Sequence, residues 1–186
     1  LFNPASIVNA AAWGQVDAVF AAAALAAVLL LAAGRLPQAT AAFAAALLIK
    51  PQALIFGPLW LLALIRRKSW KTFGLCLLWG LPVFLLPALP FTWTKPGGPL
   101  WLKELYTGTL AQYPYASLNA YNFHALLGGN WRPLAESALF GLTHTAWSVV
   151  LIAAGAIYAA YLFFKSKTDD VWFFLGFFIV ALAFMA

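Results

Sequence analysis

Four long stretches of this chain carry no charged residue: Ala18 to Gly34, Thr72 to Thr94, Ser137 to Phe164, and Val171 to Ala186. A bilayer core offers the backbone no hydrogen-bond partner, so runs of this kind fold as helices that satisfy their own N–H and C=O groups. Two further runs, Ala39 to Ile49 and Ala53 to Ile65, are apolar but too short to cross a core of about 30 Å. Composition agrees. The chain is 65% hydrophobic and 9% charged, where a soluble domain has about 25% charged residues. The expected fold class is all-α: a polytopic transmembrane helical bundle of about six membrane helices, two of them short. Residues 1–186 read as one transmembrane domain of a longer chain. Leu1-Phe2-Asn3-Pro4 has neither an initiator Met nor a basic leader, and the last apolar run stops unfinished. The single cysteine, Cys76, excludes an internal disulfide and a thiolate metal cluster.

The net charge of +6 is read as cytoplasmic loops, not as a nucleic-acid surface. Arg66-Arg67-Lys68-Ser69-Trp70-Lys71 is then inside, and Lys165 and Lys167 fall on the same side two spans later. Residues 95–136 become an extracytoplasmic loop. Ala39 to Ile65 admits two readings. One kinked span would put Asn3 to Asp17 inside; a hairpin of two short helices would put that stretch outside. The hairpin is preferred, because it groups Arg35 with the other cations and gives Pro51 a first turn to occupy.

Asn3 to Asp17 is the polar head of the first apolar run. Asn3 suits an N-cap and Pro4 a first helical position. A helix from there to Gly34 would span roughly 45 Å, so its start should stand at the membrane surface. Asn9, Trp13 and Asp17 would share one face, with Gln15 opposite. The plain alternative is an interfacial Trp anchor with a solvated Asp. In the hairpin reading, Lys50 stops short of the outer hydrocarbon boundary, where an ammonium needs a partner or water. Asp17 descends to a similar depth, so the two could pair. A helix opening at Pro51 would add its N-terminal N–H groups, making a phosphate seat. Otherwise Lys50 simply snorkels upward.

The loop carries a second constellation, Tyr113-Pro114-Tyr115-Ala116-Ser117-Leu118-Asn119-Ala120-Tyr121-Asn122-Phe123-His124, followed by Gly128-Gly129-Asn130-Trp131-Arg132. Aromatic faces beside amides suit sugar rings. An aromatic belt at the membrane surface explains the rings well and explains Asn119 and Asn122 less well. His124 reads first as a hydrogen-bonding side chain, with general base or phosphate contact as alternatives. His144 is placed in a helix. No His-x-x-x-His metal spacing and no phosphate loop of the Gly-Lys-Ser/Thr type occurs.

Asn3-Pro4 with Trp13-Gly14-Gln15-Val16-Asp17, then Lys50-Pro51-Gln52 with Pro58, then Asn119-Ala120-Tyr121-Asn122-Phe123, resembles the polytopic GT-C glycosyltransferases over most of the chain. Within them the pattern is similar to bacterial mannosyltransferases related to the second mannosyltransferase of GPI-anchor assembly. The resemblance implies an integral enzyme of the bacterial inner membrane. It would move a sugar from a polyprenyl-phosphate donor to a glycan or lipid acceptor on the extracytoplasmic face, among membrane lipids and without nucleic acid. A carboxylate base would activate the acceptor while lipid phosphate leaves. Charge grows on that phosphate, so a cation lowers the barrier. Lys50 takes this role, with Gln52 assisting and Asp17 orienting Lys50. Asn9, Trp13 and Gln15 would shape the donor pocket; Asn119, Tyr121, Asn122 and His124 would cover sugar or acceptor. The family's usual catalytic acid would precede Leu1. No metal ligand is assigned, and a divalent cation stays open as a cofactor. A transporter or lipid flippase would also use intramembrane charges and broken helices, but the polar groups gather at one surface and no inverted repeat shows. A membrane scaffold would not require Lys50 at depth.

Overall fold

Proline and glycine punctuate the apolar runs, and the helices start and stop at them. The computed structural model describes residues 4–8, 11, 16–95, 98–111, 114–118, 120, 122–167 and 169–185. The fold is mostly helical, and the chain packs as two units, Leu1–Thr94 and Lys95–Ala186.

In the first unit, α1 (Pro4–Ile7) is one turn and α2 (Asp17–Ala32) begins after Val16. The helix expected from Asn3 to about Gly34, with a bend allowed at Gly14, is interrupted at Val16, which lies in a turn. Asp17 sits in the first turn of α2, where the positive end of the helix favours a carboxylate. Gly34, at φ +74°, ends α2 in a Schellman turn, with Arg35 N–H donating to Leu30 O and Gly34 N–H to Leu31 O. Helix α3 (Leu36–Ile49) follows. It stops because Pro51 disfavours a helical conformation at the residue before it, and Lys50 is extended.

Pro51 opens a 3-10 segment, Pro51–Phe56, and α4 (Gly57–Arg67) starts only at Gly57 with Pro58 behind it. The chain then folds back on itself. Trp60 of α4 stacks on Phe43 of α3 at 4.5 Å, and its indole N–H donates to Thr40 Oγ1 at 3.0 Å. Residues 39–65 are thus a hairpin with Lys50 at its apex, not one kinked span. The basic loop shrinks to Lys68 and Ser69, because Arg66 and Arg67 complete α4 and Lys71 lies within α5 (Trp70–Leu85). Of Pro82, Pro87 and Pro90, the expected breaks in the run to Thr94, Pro82 lies inside α5, and the helix ends at Leu86 ahead of Pro87 and Pro90, which lack the N–H groups a helix needs; α6 (Phe91–Thr94) is one turn. Helix α3 packs against both α2 and α5. Its small residues Ala39, Ala44 and Ala46 are buried, which lets backbones approach closely.

In the second unit, α7 (Trp101–Ala111) and α8 (Phe123–Leu126) interrupt the stretch read as loop. Ser137 to Phe164 is not one helix. Strands β1 (Ser137–Leu139) and β2 (Leu142–Thr143) pair antiparallel around Phe140 and Gly141, both at positive φ. Thr143 then caps α9 (His144–Lys165), its hydroxyl accepting from Ala146 N–H at 3.2 Å. With 22 residues, α9 is about 33 Å long. Among the described residues it is the one helix long and apolar enough to cross a membrane. Helix α10 (Asp169–Met185) packs along it. Phe163 meets Trp172 edge to face at 5.1 Å, and a Cβ on Gly155 would lie 2.8 Å from Ala183 Cβ, so the pair crosses closely.

Candidate functional site

The hairpin apex is built by local rules. Pro51 leaves Lys50 extended at the end of α3, and Asp17 opens α2 nearby. The Lys50 ammonium donates to the Asp17 carboxylate across 33 residues of sequence. Side chains of both are partly accessible, at 29% and 42%, so a third partner can reach the pair. Gln52 follows on the first 3-10 turn and is exposed. The segment that Pro51 opens is a six-residue 3-10 helix, not the α-helix expected there. Positive charge at the apex therefore rests on Lys50. Asn9, Trp13 and Gln15 lie outside the described residues.

The loop site takes shape around two histidines. Backbone bonds tie segment 114–118 to 130–134: Ala116 N–H to Arg132 O at 2.8 Å, Trp131 N–H to Ser117 O at 2.9 Å, Leu134 N–H to Pro114 O at 2.9 Å. Tyr115 meets Trp131 edge to face at 5.7 Å. Asn119 and Tyr121 lie outside the described residues. Asn122 caps α8, its Oδ1 accepting from Ala125 N–H at 2.9 Å. His124 is buried. Its Nδ1 lies 3.1 Å from Nδ1 of buried His144, and its Nε2 lies 2.9 Å from Ser148 Oγ. The Ser148 hydroxyl donates to His144 O at 3.2 Å, so Ser148 accepts from His124 Nε2–H. A neutral His124 then accepts at Nδ1 from His144, and every proton in the chain has a place. Burial, and next the neighbouring His144, push the His124 pKa below the ordinary imidazole value. Gly129 closes the group; a Cβ there would lie 2.6 Å from His144 Cε1 and 2.8 Å from His124 O.

The structure thus brings Asp17 to Lys50 within one unit, and gives Asn122 and His124 local hydrogen-bonding partners within the other. Sequence reasoning missed His144 and Ser148 as partners of His124. The signal available was their spacing of four on one helical face, with Gly128-Gly129 upstream. Glu104 and Glu136 are exposed. Among the described residues no three His, Cys, Asp or Glu side chains gather.

Comparison with known families gives a match to the profile of glycosyltransferase family 87 over residues 1–186. No curated protein and no solved structure matches the chain.

Proposed function

The chain belongs to glycosyltransferase family 87, and we propose that it takes a sugar from a polyprenyl-phosphate donor and passes it to a glycan or lipid acceptor at the extracytoplasmic face of a bacterial inner membrane. The proposed arrangement is a polytopic bundle with residues 95–136 outside. Mannose is the proposed sugar, on the motif resemblance to mannosyltransferases related to the second enzyme of GPI-anchor mannosylation. The observation that carries the reading is the Asp17–Lys50 ion pair at the hairpin apex.

In the proposed displacement, the acceptor oxygen bonds to the anomeric carbon as the bond from that carbon to the phosphate oxygen breaks. The bonding electrons leave with the phosphate, and the acceptor proton passes to a carboxylate base. Lys50 meets the phosphate and stabilises its growing charge. Asp17 holds the ammonium in place until donor phosphate competes for it. Gln52 adds a neutral amide donor. Asn9, Trp13 and Gln15 line the donor end, while Asn119, Tyr121 and Asn122 meet sugar or acceptor. His124, being buried, shapes that loop from beneath. The test is transfer by reconstituted full-length protein supplied with either polyprenyl-phosphate mannose or a nucleotide-linked mannose. Consumption of the lipid-linked sugar is expected; transfer from the nucleotide sugar alone would overturn the donor reading.

A further inference from the structure

We propose that the β1–β2 hairpin is a membrane-interface anchor, with Phe140 and Leu142 seated at the headgroup–acyl boundary of the leaflet where α9 enters. The inference rests on α9 crossing the bilayer. Phe140 and Gly141, at φ +53° and +76°, occupy the two central positions of a two-residue turn in which both residues need positive φ. Asn-Gly is the usual choice there. A phenylalanine is strained in that conformation, and the residue is 86% exposed. Local folding does not account for a strained, solvent-facing aromatic; an apolar environment outside the protein does.

Its location identifies that environment. The hairpin ends at Thr143, and the span begins at the next residue. Trp147, one turn into α9, donates its indole N–H to Leu139 O at 3.0 Å, and its ring lies 6.5 Å from that of Phe140. The turn is therefore folded down beside the first turn of the span. Leu142, 41% exposed, follows the turn. This is the depth at which aromatic side chains settle in a bilayer, their apolar bodies in the chains and their polar handles bonded.

Nitroxide labels on the full-length protein test this in vesicles of phosphatidylethanolamine and phosphatidylglycerol, with Cys76→Ala removing the buried native thiol. A label at Phe140→Cys should collide more with oxygen than with a water-soluble nickel chelate. A label at Ile157→Cys, on an exposed face of α9, should do so more strongly. Nickel access at 140 with oxygen preference at 157 overturns the anchor alone. Nickel access at 157 overturns the span on which it rests. Protection of 140 from both reagents means protein covers it, and also overturns the proposal. Phe140→Asn provides the second arm, because Asn suits the turn and should melt no lower than the parent. With that substitution a label at Leu142→Cys should shift toward nickel access; an unchanged depth would refute Phe140 as the anchoring residue.

Discussion

Lys50 is the residue on which solvent decides most. An ion pair as accessible as Asp17–Lys50 contributes about 0–1 kcal/mol in water, so folding alone does not account for it. Opposite a leaving phosphate the same ammonium would act in the transition state. Lys50→Met should then lower donor turnover roughly a hundredfold, corresponding to about 3 kcal/mol for a lost charge-assisted contact. Lys50→Arg should keep part of the rate, because charge survives while geometry changes. Turnover by purified full-length variants, with folding followed by thermal melting, reads both; a folded Lys50→Met at the parent rate would make the residue structural. His124 makes a different prediction. Its lowered pKa means the folded chain resists a proton that the unfolded chain accepts. Stability is thus complete above the ordinary value of about 6.5 and drains as pH falls below it. Melting temperature should drop from about pH 7.5 to 5.5, and His124→Gln should flatten that slope. The Asp17–Lys50 pair was legible because two opposite charges set among long apolar runs have few other partners. The His124–His144 pair was not, because the spacing of four between His144 and Ser148 marks a helical face without saying which loop residue packs on it.

At the scale of elements, the crossing of α3 and α5 turns on one methyl. A Cβ on Gly80 would lie 2.9 Å from Thr40 Cγ2. Thr40 cannot simply rotate, since its hydroxyl donates to Leu36 O at 2.8 Å and accepts from Trp60 at 3.0 Å. Gly80→Ala should therefore destabilise the unit by about 1–3 kcal/mol, as overpacking does. Thr40→Ser keeps the hydroxyl and removes the methyl, so the double variant should recover most of the loss. Thermal melting of the four proteins forms the cycle, and additive effects would remove this contact as the cause. Element ends at Gly34 and Pro51 could be read from the sequence, because those residues act locally; the start of α4 at Gly57, with Pro58 behind it, was not read, since the apolar run continues through it. The β1–β2 hairpin could not. Its strands are three and two residues long, its turn lacks the Asn-Gly signal, and its residues continue an apolar pattern that suits a helix. Capping by Asn122 was written locally too, but an amide among aromatics reads equally as a sugar contact.

For the molecule as a whole, class came from composition, while the number of spans was only partly legible. Gly34, Pro51 and Pro87 bound helices α2, α3 and α5 at 16, 14 and 16 residues, roughly 21–24 Å each, leaving α9 as the helix of full spanning length among the described residues. Charge nevertheless orients the first unit. The bend after α2 and the bend after α4 meet at one end, since a Cβ on Gly34 would lie 3.3 Å from the Arg67 guanidinium. Arg35, Arg66, Arg67, Lys68 and Lys71 thus belong to the end of the hairpin opposite Lys50. Clusters of Lys and Arg near apolar helices stay on the cytoplasmic side, so the Lys50 apex should face outward. In intact cells carrying the full-length protein with Cys76→Ala, Ser69→Cys should resist an impermeant thiol reagent until the membrane is opened, while Ser6→Cys should react from outside. Ser69→Cys reacting while Ser6→Cys stays protected before the membrane is opened would reverse the orientation, and would place the Asp17–Lys50 pair on the wrong face for a donor presented outside; equal reaction of the two would overturn the placing of these segments on opposite faces.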